Sequence, residues 1–188
     1  MNLETLTNRV LDFWFGTPDS AELGATRDVW FNSTPEFDQE IRNKFGAANS
    51  MAAEGKLDDL MQMQRGTLAL IILLDQFSRN IFRGKAAAFA NDEKARCVAE
   101  SGLQKGYDER LLTVEKKFFY LPFEHAEDLE FQEKSIMLFI RLGDSDSLRH
   151  ALCHRDQILR FGRFPDRNQA LGRENSKAEL AFLKQPFC

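Results

Sequence analysis

Three stretches of this sequence place charged side chains among the apolar residues of predicted helices. They are residues 68–84 (LALIILLDQFSRNIFRG), 120–133 (YLPFEHAEDLEFQE) and 150–168 (HALCHRDQILRFGRFPDRN). A charged group in a protein interior costs several kcal/mol unless a partner neutralises it. We therefore expect these stretches to converge on a polar cluster that pairs its own charges, binds a ligand or carries out a reaction.

The helical spacing places several of these charges on inner faces. With about 100° of rotation per residue, Asp75 shares a face with Leu68, and Arg79 is its i+4 neighbour. In the third stretch, Arg155 falls in the middle of an apolar face and His154 lies on the flank of that face. Opposite charges are therefore predicted to point toward the interior.

The sign of the charge differs between the second and third stretches. Residues 124–133 include five carboxylates, whereas residues 149–173 include six arginines and two aspartates. Because the guanidinium group pairs well with carboxylates, the two segments can bind each other in a structural ion-pair network. Alternatively, the arginines near helix ends meet an anionic ligand; these are Arg79, Arg83, Arg163 and Arg167.

The preferred hypothesis is a helical binding module with a charged groove or pocket for a small anion or a peptide. Its candidate binding residues, all charged or polar and all from the three stretches, are Asp75, Arg79, Asn80, Arg83, Glu124, His125, Asp128, His154, Arg155, Arg163, Arg167 and Asn168. A second hypothesis is a hydrolase, with or without the assistance of a metal, in which one of these carboxylates is the base and a histidine its partner. A third is an ion-pair network without a ligand, and the sequence leaves open whether the protein is an enzyme.

No metal or cofactor is expected. His150 and His154 have the i, i+4 spacing that lets two imidazoles share an ion, and His125 offers a further ligand. The HExxH signature and the paired Glu-x-x-His motifs of di-iron bundles are nevertheless absent from the sequence, as is a glycine-rich phosphate loop.

The bulk properties predict a cytoplasmic globular protein with one domain over residues 1–188. The net charge of −4 argues against a nucleic-acid partner. The first residues lack the pattern of a secretory signal, and the longest apolar run, residues 68–74, is too short to cross a membrane. Three cysteines without CxxC spacing argue against a disulfide scaffold, which favours a reducing compartment.

The periodicity predicts an all-α fold with about seven to nine helices. Thr34 followed by Pro35 is typical of a helix start, Asn91 begins another helix, and residues 176–179 form a capping box. Further helices are predicted at 66–77, 114–121, 127–142 and 147–161. No stretch alternates with the period of a strand.

The sequence resembles a mainly bacterial family known as domain of unknown function 924. The motifs that carry the resemblance are VLDFWFG (10–16), residues 68–84, YLPFEHAED (120–128), HRD (154–156), FGRFP (161–165), RN (167–168) and LGR (171–173). The resemblance implies antiparallel helix pairs stacked in a right-handed superhelix similar to tetratricopeptide repeats, and it implies no activity. Ser78 and Asp166 stand where the family usually has proline and histidine, so a mechanism that requires that imidazole is not expected here.

Overall fold

The computed structural model describes residues 2–184, and all regular structure in this range is helical. The α-helices are α1 (Leu3–Phe15), α2 (Pro35–Ala53), α3 (Gln64–Ile71), α4 (Ser78–Ile81), α5 (Asp92–Gln104), α6 (Thr113–Glu124), α7 (Leu129–Leu142), α8 (Ser145–Phe161) and α9 (Lys177–Lys184). The all-α prediction is therefore confirmed. The arrangement of helix pairs as a tetratricopeptide-like superhelix stays a prediction.

The chain forms two compact units. The first unit comprises residues 1–83 and 87–122, and the second comprises residues 84–86 and 123–188. The prediction of one domain over residues 1–188 stays a prediction.

The helix starts follow the capping chemistry of the sequence. The Thr34 hydroxyl accepts a hydrogen bond from the Phe37 N–H at 3.2 Å, with Pro35 at the first helical position. The Ser176 N–H donates to the Glu179 carboxylate, and the Glu179 N–H donates to the Ser176 hydroxyl, so the predicted capping box is present. The Asn91 side chain makes no capping hydrogen bond to α5.

A helix that is buried on all sides forms the centre of the first unit. Residues 68–74 have no exposed surface, as the apolar run predicts. The helix does not end at Phe77 as predicted, because a π-helical segment, Ile72–Phe77, joins α3 directly to α4. π-helical turns are rare and occur frequently at functional sites. Here the π-helical segment contains Asp75, one of the candidate residues.

Aromatic side chains fill the rest of this core. The rings of Trp14, Trp30 and Phe118 lie within about 6 Å of one another, with centroid distances between 4.8 and 6.1 Å. The Phe45 and Phe77 rings pack at 4.8 Å beside the π-helical segment. The abundance of phenylalanine in the sequence therefore reflects interior packing.

The second unit is organised around a helical hairpin. α7 ends at Gly143, whose φ of 76° closes the helix in the left-handed conformation, and Asp144 then caps α8 by accepting from the Ser147 N–H. The short connection makes α7 and α8 antiparallel neighbours. Ile136, Phe139 and other apolar side chains of the pair are buried.

The cysteines and the hydropathy of the helices bear on the expected cellular setting. Cys97 is a free, exposed thiol. The expectation of a reducing, cytoplasmic setting stays a prediction. Among the helices of residues 2–184, none combines the length and the hydropathy that crossing a membrane requires.

Candidate functional site

In the first unit, the buried aspartate of the π-helical segment is neutralised by an arginine. Asp75 has no exposed surface, and its Oδ1 accepts a hydrogen bond from Arg79 Nη1 at 2.9 Å. Arg79 also contacts both carboxylate oxygens of Asp92, at 2.8 and 2.9 Å. The predicted i, i+4 pair is therefore present. Since Arg79 already binds two carboxylates, its role in the structure is to join the π-helical segment to α5.

The other two candidates of the first unit converge on Asp38, which the sequence analysis missed. Arg83 Nε and Nη2 contact the Asp38 carboxylate at 2.6 and 2.9 Å, and Asn80 and Ser33 donate to it at 2.7 Å. Burial acts to raise the pKa of Asp38, but the hydrogen bonds from these partners outweigh burial and hold the pKa below its usual value. Asp38 shares a helical face with Ile41, and that spacing is the signal that would have found it.

Two asparagines support the π-helical segment from neighbouring helices. Asn49 Nδ2 donates to the Leu73 carbonyl at 2.7 Å and to the Ser78 hydroxyl at 2.9 Å. Asn91 Nδ2 donates to the same hydroxyl at 3.2 Å. Ser78 therefore accepts two hydrogen bonds in the interior, and Asn49 is a second residue that the sequence analysis missed.

In the second unit, Arg163 and Asn168 both bind Glu179 of α9. Arg163 Nε and Nη2 contact the two oxygens of Glu179 at 2.7 and 3.0 Å, and Asn168 Nδ2 lies 3.3 Å from Oε1. The hydrogen bonds from Arg163 and from the Ser176 N–H hold the pKa of Glu179 far below its usual value. Glu179 was recognised in the sequence only as part of a capping box, and its partner at position 163 is not deducible from local spacing.

A second carboxylate anchors the loop after α8. Arg173 contacts Glu127 at 2.6 and 2.9 Å, and the Phe164 N–H donates to Glu127 at 2.8 Å. Burial acts to raise the pKa of Glu127, yet the hydrogen bonds from Arg173 and Phe164 hold the pKa below its usual value. Arg167 donates to the His125 carbonyl at 3.0 Å and lies 4.4 Å above the Phe164 ring. Acidic residues after α6 therefore do pair with the arginine-rich segment.

Two further candidates lie nearer the surface than their spacing indicated. Asp128 is exposed and serves as the N-cap of α7, accepting from the Glu130 N–H at 2.8 Å. The Arg155 side chain is 29% exposed and lies 3.6 Å from Glu133 and 3.0 Å from Asp156. By contrast Glu124 is buried, with 3% of its surface exposed.

The most unusual geometry surrounds Glu124 at the end of α6. His154 Nδ1 on α8 lies 3.0 Å from Glu124 Oε1, but the alignment of the two groups is not that of a hydrogen bond. Gln132 on α7 donates to the Glu124 carbonyl at 2.6 Å, while its own Oε1 has no hydrogen-bond partner. The Ser135 hydroxyl, one helical turn further along α7, is also buried without a partner.

We call Glu124, Gln132, Ser135 and His154 the polar quartet. More than nine in ten buried polar groups in proteins have a hydrogen-bond partner, so the two atoms of the quartet without any partner, Gln132 Oε1 and Ser135 Oγ, distinguish it from the arginine clusters. The quartet offers a carboxylate, a carbonyl oxygen, a hydroxyl and an imidazole. Glu124 and His154 also have the groups of an acid–base pair.

Within the part of the chain that the structure describes, the candidate residues neither form a metal cluster nor line the surface depression along α2. Within residues 2–184 no group of three or more His, Cys, Asp and Glu side chains has the geometry to hold a metal ion. A depression of about 530 Å³ lies along α2, and its lining residues are Pro35, Glu36, Gln39, Glu40, Asn43 and Lys44. None of the predicted site residues lines it.

The comparisons with known proteins agree with the motifs of the sequence. The model of a family described as a bacterial protein of unknown function (DUF924) matches residues 10–187. The chain belongs to this family. A solved structure of a protein of unknown function from Agrobacterium tumefaciens is similar, with a TM-score of 0.89 and 37% identity over 98% of this chain and 99% of that one. A search of curated proteins gave no match.

Proposed function

We propose that this DUF924 member is a helical binding module whose ligand site in the second unit is the polar quartet. The observation that supports the proposal is the pair of buried, unpaired polar atoms on α7, Gln132 Oε1 and Ser135 Oγ, on the helix whose Gln132 also binds the backbone carbonyl of the buried Glu124. Buried polar atoms ordinarily have a hydrogen-bond partner. A ligand that reaches them would complete hydrogen bonds that the chain itself leaves open.

The chemistry of the quartet defines the class of ligand. His154, whose side chain is 29% exposed, and Ser135 supply an N–H and an O–H donor for an acid group. Glu124 and the Gln132 carbonyl oxygen accept hydrogen bonds, so the same ligand should carry an ammonium or amide N–H. A small anion with such a donor, of which an amino acid or a short peptide end is the simplest example, fits this combination.

The arginines already have carboxylate partners in the chain, which favours a location for the anion different from the predicted one. Arg79, Arg83 and Arg163 each bind a carboxylate of the chain. An added anion would have to displace that carboxylate. The proposal therefore retains the binding of a small anion or peptide but moves its contacts from the arginines to the quartet, where Gln132 Oε1 and Ser135 Oγ have no partner in the chain. The hydrolase hypothesis, which would use Glu124 and His154 as base and acid, stays a prediction.

The proposal is tested by following the full-length protein by thermal shift and by ¹H–¹⁵N NMR with free amino acids, dipeptides, acetate and phosphate as probes. Any probe that binds should raise Tm, and at 100 times its Kd by an amount that corresponds to about 2.7 kcal/mol. His154→Gln and Glu124→Gln should each abolish the shift. His150→Gln, on the exposed side of the same helix, is the matched control and should leave it unchanged.

Two results would contradict the proposal. One is a complete absence of Tm and chemical-shift changes with every probe. The other is binding that His154→Gln leaves intact while Arg79→Lys or Arg163→Lys removes it, because that would assign the anion to an arginine cluster.

A further inference from the structure

His154 and Glu124 lie close together without forming a hydrogen bond. The two atoms that face each other, Nδ1 and Oε1, are 3.0 Å apart, yet Nδ1 makes no hydrogen bond. Hydrogen bonds to a carboxylate are stronger than those between neutral groups, and at this distance only the orientation of the groups prevents one. Another contact therefore determines how the imidazole ring of His154 is turned.

That contact is with Phe164, in the loop after α8. The two ring centroids lie 5.2 Å apart with an interplanar angle of 66°, close to the edge-to-face geometry that aromatic pairs prefer. Phe164 is 3% exposed, and the guanidinium carbon of Arg167 lies over its ring at 4.4 Å from the centroid. The His154 ring therefore packs against a side chain that has little freedom to move.

Backbone hydrogen bonds fix the position of Phe164. Its N–H donates to Glu127 Oε1 at 2.8 Å, and its carbonyl accepts from Arg173 Nη2 at 3.1 Å. Arg173 also binds Glu127 at 2.6 and 2.9 Å, so one ion pair holds the backbone of Phe164 on both sides. Since Glu127 follows Glu124 closely in the sequence, this ion pair attaches the loop to the segment that carries the Glu124 carboxylate.

We propose that Phe164 is a positioning residue of the polar quartet, which holds the His154 ring out of line with Glu124. The imidazole N–H and the carboxylate then both stay available to a ligand. If the two groups bonded each other, a donor for an acid group and an acceptor for an ammonium or amide N–H would be used within the chain. This inference rests on the proposed function, because that function requires both groups for the ligand.

NMR of the imidazole groups in the ligand-free, full-length protein tests the position of the His154 ring. Wild type should show no His154 Nδ1–H signal that is protected from exchange with water, because Nδ1 makes no hydrogen bond. Phe164→Leu removes the aromatic contact and lets the ring turn toward Glu124, so a protected, downfield Nδ1–H signal should appear. Adding His154→Gln to this variant should remove the signal, which assigns it.

Phe161→Leu is the matched control, because it makes the same change at the end of α8. The Phe161 ring packs on Phe182 at 5.4 Å, and its replacement should not produce the Nδ1–H signal. Circular dichroism establishes that each variant is folded. Phe164→Met, whose flexible side chain fills irregular space in a core, takes the place of Phe164→Leu if the leucine variant unfolds.

The outcome of the NMR experiment does not depend on a ligand, so it is separate from a failure of the proposed function, which would appear as absence of binding by every probe. A protected Nδ1–H signal in wild type would overturn the proposal, as would a folded Phe164 variant without that signal. An amino acid, dipeptide, acetate or phosphate that binds wild type should bind the Phe164 variant about tenfold more weakly, as expected for one lost hydrogen bond. Equal affinity would also overturn it.

Discussion

Two glycines in helices are predicted to respond with opposite signs to the same substitution. A Cβ at Gly66 in α3 would lie 2.5 Å from the carbonyl oxygen of Leu60. Cβ atoms essentially never approach so closely, and the neighbour is backbone, which cannot rotate away. A Cβ at Gly46 in α2 would have its nearest neighbour at 4.0 Å, the flexible Arg42 side chain.

The expected magnitudes follow from these distances. Alanine gains about 1 kcal/mol over glycine in a helix interior, and overpacking of a tight site costs about 1–3 kcal/mol or more. The contact at Gly66 is with backbone, so the upper end applies. We therefore expect Gly66→Ala to reduce the free energy of unfolding by about 2 kcal/mol, whereas Gly46→Ala should increase it by about 0.5–1 kcal/mol.

Urea unfolding followed by circular dichroism measures both changes. With about 2–4 °C of Tm per kcal/mol for a chain of this size, the two variants should differ by about 5–12 °C. Equal stabilisation by both alanines would refute the packing of α3 against the Leu60 carbonyl. Because α3 continues into the π-helical segment, that result would also remove the support for the geometry around Asp75.

Two further predictions concern Glu179 and Asp128. Folding lowers the pKa of Glu179, so the stability that its contact with Arg163 provides is present above the unfolded pKa of 4.5 and is lost as the pH falls toward the folded pKa. The difference in unfolding free energy between wild type and Glu179→Gln should therefore shrink with acid. Urea unfolding from pH 7 to about pH 3 measures this difference. A difference that grows with acid would contradict this assignment. Asp128→Ala should lower the unfolding free energy by about 1 kcal/mol through loss of the α7 cap, while Asp166→Ala, at another exposed aspartate, should change it by less than about 0.5 kcal/mol.

The helices were predictable because they depend on local signals. Thr34 with Pro35 and the box at 176–179 satisfy the same N–H groups in the sequence pattern and in the structure. The π-helical segment was not predictable in this way. A π turn retains the apolar composition of its neighbours, and the groups that support it, such as Asn49, come from a helix more than 20 residues away.

The site was predictable in part for the same reason. Periodicity placed Asp75 in the interior, where it is buried, and Arg155 in the middle of an apolar face, where its side chain is 29% exposed. It did not identify the partners, because Asp38 and Glu179 reach their arginines across 45 and 16 residues of chain. Spacing along a helix gives the direction of a side chain, whereas its neutralisation depends on which other elements pack there.

The difference between satisfied and unsatisfied groups determines where a ligand can bind with useful affinity. An anion near Arg79 competes with Asp75 and Asp92, which are held 2.8–2.9 Å away by the fold and therefore act at a high effective concentration. An added ligand at the polar quartet meets no such competition at Gln132 Oε1 or Ser135 Oγ. It would replace unpaired atoms by hydrogen-bonded ones, and each such atom otherwise costs about 1–3 kcal/mol. Ligand recognition should therefore depend on the quartet, while the arginines determine whether the units fold.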